Sequence, residues 1–206
     1  MPPELGALTL ASDPGRWREL GFCVEDGGTC AVGTIRLELR GQGTGRGILS
    51  WAFRDVAPGR IDGLETHATD MEPAEPVVHP NSTATIDHVV VMSKAPERTV
   101  GAFQDAGFHA RWTNHGQSGM RQTFFRAGEA VLELIGPEQA DPRAGLAHFY
   151  GIAFAVDDID ATAAFLGARL GPVKDALQPG RRIATLRKEA GAGIAVAFMS
   201  PGRAAA

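Results

Sequence analysis

The apolar positions of this chain fall in short runs whose period changes several times, and the order of those changes repeats. "IDHVVVM", residues 86–92, and "VLELIGP", residues 131–137, are runs of strand length bounded by turn residues. After the first run comes "APERTVGAFQDAGF", with Val100, Phe103 and Ala106 near helical spacing and Gly107 as a stop. "HARWTNH" and "MRQTFFRAG" then read as strands separated by glycine-containing turns. Residues 86–136 are therefore predicted as strand, helix, strand, strand, strand. Residues 149–201 repeat that order. "FYGIAFAV" is the strand, and "DDIDATAAFLGARLG" a helix with Asp at its start and Gly171 after its end. "PVKDA", "RRIATLRK" and "GIAVAFMSP" follow as strands.

The N-terminal part carries a third copy. "LGALTLAS" matches "IDHVVVMS", "DPGRWRELGF" matches "VGAFQDAGF", and "GTIRLELRG" matches "GEAVLELIG", so that Glu38 falls opposite Glu133. "GILSWAFRDV" with "GRIDGLETHAT" reads as the remnant of a fourth, without room for a full helix. The expected organisation is an α+β fold of repeated βαβββ units. Residues 1–70 are a degenerate N-terminal unit, 71–84 a proline-rich linker or crossover, 85–201 the main paired domain and 202–206 a tail.

Strand alternation puts Val131, Glu133 and Ile135 on one face, and His88 on a face with Ile86, Val90 and Met92. Neither face looks like a solvent face. A carboxylate among apolar neighbours needs a partner, because an unpaired buried charge is costly. An imidazole on a neighbouring strand could satisfy it.

Paired βαβββ units with His on the first strand and Glu on the last resemble the vicinal oxygen chelate superfamily of glyoxalases, extradiol dioxygenases and bleomycin-resistance proteins. The carrying segments are "IDHVVVM", "VLELIGP" and "GIAFAVDDIDA". The resemblance implies a curved, open, mixed sheet around a cleft, with helices on the outside. It also implies a divalent metal held by the His and Glu of each unit, here His88 and Glu133, and a homodimer. The second unit departs from the pattern, since Gly151 stands at the His position and Ala197 opposite Glu133. His148 lies on the wrong face of an ideal strand to substitute. Two protein ligands are few for a catalytic ion, since zinc sites usually have three and non-haem iron two His and a carboxylate. A third ligand would have to come from Gln178, His115 or another chain. Without a metal, the pair could serve as general acid and base.

On the facing wall, Gly151, Ala153, Ala155, Ala195, Ala197 and Met199 are nearly all small, which leaves space for a pocket or for bulky fillers from the other unit. The polar groups expected to converge on it are Gln122, sharing a face with Phe124, and Arg182, whose fork of donors suits a carboxylate or phosphate. Gln178 is a further candidate, and Trp112 is placed at the mouth.

Composition narrows the function class. The chain has 206 residues and a net charge of −4, the wrong sign for a general nucleic-acid binder. It has no apolar run of the roughly 20 residues needed to cross a membrane, and no signal peptide is read at its start. Cys23 and Cys30 lack CxxC spacing and read as reduced thiols of a cytoplasmic protein. The leading expectation is a glyoxalase-like enzyme acting on a small oxygenated or anionic metabolite, with or without a divalent metal. The alternative is a metal-free small-molecule binding or sequestration protein.

Overall fold

A computed structural model describes residues 2–116, 119–141 and 143–201; the tail expected at 202–206 lies outside them. The chain runs β1 (Glu4–Leu10), α1 (Pro14–Glu19), β2 (Thr29–Val32), β3 (Ile35–Leu39), β4 (Ile48–Arg54), β5 (Gly59–Ile61) and β6 (Leu64–Ala68). It continues through β7 (Thr83–Met92), α2 (Pro96–Asp105), β8 (Ala110–His115), β9 (Met120–Ala127) and β10 (Ala130–Pro137). The last elements are β11 (His148–Val156), α3 (Ile159–Leu166), β12 (Lys174–Asp175), β13 (Arg182–Thr185) and β14 (Ala195–Met199).

The later strands form an eight-stranded sheet in the order β12-β13-β14-β11-β7-β10-β9-β8. Within each unit the first and last strands are parallel, β7 with β10 and β11 with β14, while β7 and β11 meet antiparallel at the centre. This is the α+β fold expected from the repeat, with the open mixed sheet that the resemblance implies. The earlier strands form a six-stranded sheet, β2-β3-β1-β4-β6-β5, with the same logic in shortened form. There β1 is parallel to β3, β4 to β6, and β1 antiparallel to β4. β4–β6, which lacks a helix, is thus the counterpart of β11–β14.

The register carries the alternation into packing. Leu132 and Leu134 of β10, Val89 and Val91 of β7, and Phe154 of β11 are buried on the face away from the cleft. The six-stranded sheet and the helices cover that face. Trp17 of α1 packs edge-on to Phe154, and Trp51 of β4 packs edge-on to both Phe103 of α2 and Phe149 of β11. These aromatics belong to one core cluster that spans both sheets. α3 begins where Asp158 accepts hydrogen bonds from the Asp160 and Ala161 amides, so the acidic run 157–160 caps a helix. The helix stops at Gly167, with φ 54°, four residues before the expected Gly171, because only glycine takes that backbone readily.

The β5–β6 hairpin is tied to α2 by a buried carboxylate. Asp62 accepts from Arg98 Nε at 2.8 Å and from the Thr99 hydroxyl, and its side chain is 2% exposed. Asp62→Asn keeps the left-handed backbone (φ 46°) that Asn tolerates but removes the charge. The expected loss is about 2 kcal/mol of unfolding free energy, read by urea denaturation; an unchanged midpoint would mean the tie contributes nothing.

Candidate functional site

The cleft face is laid out by cross-strand rows. Val131, His88, Ala153, Ala197 and Thr185 form one row across β10, β7, β11, β14 and β13. Phe124, Glu133, Val90, Gly151 and Ala195 form the next, and Gln122, Ile135, Met92 and His148 a third. His88 and Glu133 therefore sit diagonally on neighbouring parallel strands, and their side chains meet: His88 Nε2 lies 3.1 Å from Glu133 Oε2. Glu133 is 6% exposed.

The residue beside His88 completes the arrangement. Ala153 pairs with His88 but Phe154 pairs with Ile86, which leaves Asp87 unpaired as a β-bulge. The bulge resets the alternation. Ile86, expected on the His88 face, turns into the core at 1% exposure, and Asp87 comes round to its neighbour. Asp87 Oδ2 lies 2.8 Å from His88 Nδ1, and the other Asp87 oxygen accepts from Arg181. At the far end Gln122 Nε2 donates to Glu133 Oε1 at 2.5 Å. The result is a half-buried chain: Arg181, Asp87, His88, Glu133, Gln122.

Electrostatics follow from that order. Burial works to lower the His88 pKa, but hydrogen bonds to Asp87 and Glu133, and the charges behind them, raise it further, to about 9. Burial likewise opposes the charged form of Asp87, yet His88 and Arg181 hold its carboxyl below the ordinary value. Near neutral pH the imidazole is a cation donating through both nitrogens.

Above this chain lies a cleft of about 390 Å³, bounded by Ile135, Gln178, Ile183, Thr185 and Met199. The expected hollow against small residues is not where it opens. Ala153 is 2% exposed and Gly151 is buried, and the open space lies between the His88–Glu133 pair and the β12–β13 hairpin. Gln178 lines it as expected, and Gln122 does so while held by Glu133. Arg182 does not: it is exposed and forms a two-pronged ion pair with Asp160. Arg182 shares its strand face with Ala184 and Leu186, and that is the core face, where both aliphatic residues are buried. Arg181 has the parity of Ile183 and enters the site instead. Trp112 stacks on Phe124 at 4.8 Å and is 49% exposed, on the wall beside Glu133 rather than in the cleft lining. His115 is remote, paired to Glu138 on an exposed edge strand. The residue missed from sequence is Asp87, and of the adjacent pair Arg181 and Arg182 it is Arg181 that reaches the site. The available signal was a polar doublet, Asp87–His88, inside an apolar run.

A family model described as the Glyoxalase/Bleomycin resistance protein/Dioxygenase superfamily matches residues 85–190, just over half of the chain. The chain belongs to this superfamily. No curated protein matches it in sequence. Among solved structures it is similar to a Streptomyces coelicolor methylmalonyl-CoA epimerase variant in complex with 2-nitronate-propionyl-CoA. That match has 22% identity and a TM-score of 0.50, and covers 61% of this chain and 99% of the other. It is also similar to the methylmalonyl-CoA epimerase of Mycobacterium tuberculosis (18% identity, 59% and 90% covered, TM-score 0.49). A hypothetical protein from Bacillus halodurans C-125 gives 17% identity, 59% and 97% covered, and TM-score 0.49. At these identities the likeness is one of fold. No helix among the described residues is long and apolar enough to cross a membrane.

The divalent metal found in many superfamily members poses a test of this donor set. The first unit offers two donors, His88 Nε2 and the Glu133 carboxylate, 3.1 Å apart, with Asp87 behind the imidazole at Nδ1. The second unit offers Gly151 and Ala197. A side chain at Gly151 would need room that is absent, since a Cβ there would stand 2.3 Å from the Ala195 carbonyl oxygen. Among the described residues no group of three or more His, Cys, Asp or Glu converges to hold an ion. The residues present do not fit a metal centre.

The raised His88 pKa makes stability depend on pH. A proton held more tightly in the folded state stabilises fully below about 6.5, and that contribution fades as pH rises through about 9. Unfolding free energy is expected to fall by on the order of 3 kcal/mol across that window. A His88→Gln variant would be less stable at pH 6 and show no such fall; parallel curves for the two proteins would remove the charged imidazole from the account.

Proposed function

We propose that this chain is a metal-independent, small-molecule-binding member of the superfamily. The observation that carries the reading is the short donor set: among the described residues His88 and Glu133 stand with no third His, Cys, Asp or Glu placed to complete a metal site. The second unit supplies neither of the ligands a paired site would add. The reading replaces the metal-dependent enzyme expected from the resemblance with its alternative, the sequestration type. The His88–Glu133 pair forms the floor of a cleft, and Glu133, Gln178, Thr185 and the aliphatic groups around them meet the ligand. Both walls come from one chain, so binding is expected of a monomer as of a dimer. Epimerase activity is not assigned, because the likeness to those enzymes is one of fold.

One observation favours chemistry without a metal. The His88 imidazolium carries a proton near neutral pH beside a cleft, where it could serve a ligand oxygen as a general acid. For that step Glu133 would have to release Nε2 to the ligand.

Metal content measured by elemental mass spectrometry, after purification without chelator, tests the proposal. The expected result is far below one equivalent of any divalent transition metal, and no thermal shift on adding Zn²⁺, Mn²⁺, Co²⁺ or Ni²⁺. Stoichiometric metal in the parent that is lost in both His88→Ala and Glu133→Ala would overturn it.

A further inference from the structure

The cleft is not confined to the ground above His88. A second hollow of about 650 Å³ lies on the same sheet face, further along the strands, and Ile135 borders both. Its floor is Met92, Met120, Ile135 and Pro137, from β7, β9 and β10, and its wall is Leu146. Leu146 stands 63% exposed, braced at Gly63, where a Cβ would come 2.6 Å from the leucine Cβ. Rows of the sheet join the two spaces: Gln122, Ile135 and Met92 are consecutive cross-strand neighbours. The lower hollow is bordered by hydrogen-bonding groups, and the upper floor is apolar. Two flexible thioethers on that floor suit an apolar body of variable shape.

The charges along this track cancel against one another, which argues against an anionic ligand: the His88 imidazolium is clasped between Asp87 and Glu133. Arg181 is spent on Asp87 and the Ser200 carbonyl, and Arg182 points away to Asp160. The rims carry adjacent opposite charges, Lys174 with Asp175 at one end and Lys94 with Asp141 at the other, the latter pair joined through the backbone. The acceptor at the base of the lower hollow is Glu133. It takes one donor on each oxygen, and a carboxylate accepts more than two.

We infer that the ligand of this cleft is elongated, uncharged and amphipathic. Its hydroxyl head donates to Glu133, and its apolar body passes over Ile135 into the Met92–Met120–Leu146 hollow. This deepens the binding role proposed above and rests on it. Each hollow is of small-molecule size, about 300–1,000 Å³, so a head with a chain or ring body would use both.

The test is a homologous series of n-alkan-1-ols, hexanol to dodecanol, with the matched n-alkanoates, titrated by calorimetry against the full chain. Affinity for the alcohols is expected to rise about four-fold per methylene, the factor for burying one CH₂. The matched carboxylates should bind at least ten-fold more weakly, since they have no proton to donate to Glu133 and His88 is already matched by Asp87 and Glu133. Ile135→Trp, which fills the step between the hollows, should flatten the series beyond the shortest members. Met120→Glu should weaken the long alcohols at least ten-fold, and both variants are checked for a cooperative thermal transition. Alcohols that bind with no dependence on length, carboxylates that bind as tightly, or a series untouched by either variant would overturn the inference and leave metal-free binding standing. No binding by any member would overturn the inference as well. Stoichiometric metal uptake, read separately, would instead overturn the binding role itself.

Discussion

A cationic imidazole clasped between two carboxylates is the interaction on which the cleft of this protein depends. His88, Asp87 and Glu133 come from two neighbouring parallel strands, and each would be costly to bury alone. Together with Arg181 they form an alternating row of charges, and Gln122 satisfies the remaining Glu133 oxygen. The row reaches across the sheet: Gln122 belongs to β9, Glu133 to β10, Asp87 and His88 to β7, and Arg181 to the hairpin before β13. The hairpin that walls the cleft is thereby tied to the cleft floor.

The bulge at Asp87 is the local device that makes this possible. On a regular strand Asp87 would have pointed into the apolar core between the sheets. One unpaired residue turns the carboxylate toward His88 and returns Ile86 to the core, so an electrostatic need and a packing need are met by one backbone irregularity. The second unit has its own irregularity, at Tyr150 beside Gly151. There the strands approach so closely that only glycine fits, and the position that holds His in the first unit is closed to any side chain. The two units share a topology and have divided their roles, one keeping the polar chain and the other close backbone packing.

The six-stranded sheet gives the rest of the molecule its reason for being there. In the eight-stranded sheet the face opposite the cleft is lined by Val89, Val91, Leu132, Leu134, Phe154 and Phe198, too large an apolar surface for two short helices to cover. The N-terminal strands bring Trp51, Phe53 and Leu8 to that face, and the core becomes continuous. With its back covered in this way the sheet leaves its other face to the cleft.

Sequence alone determined the repeated βαβββ units and the presence of His88 and Glu133 on strands of the first paired unit. These follow from periodicity, which is a local property of the chain and survives in the fold because each face must be either packed or exposed. The Glu38–Glu133 correspondence and the helix at 159–166 were legible for the same reason. Only the tertiary structure decided which face of β13 met the cleft, and so chose Arg181 over Arg182; alternation gives parity, and parity needs a neighbour to become a direction. Tertiary structure also decided the bulge at Asp87, since a one-residue slip leaves no mark in a hydrophobic pattern. It placed the hollow beside Ile135, Ile183 and Met199 rather than over the small residues, because an alanine wall can be closed by neighbouring backbone as readily as left open. The presence of an imidazole and a carboxylate was written in the chain, but their engagement with Asp87 and Gln122 depended on distances that only packing sets.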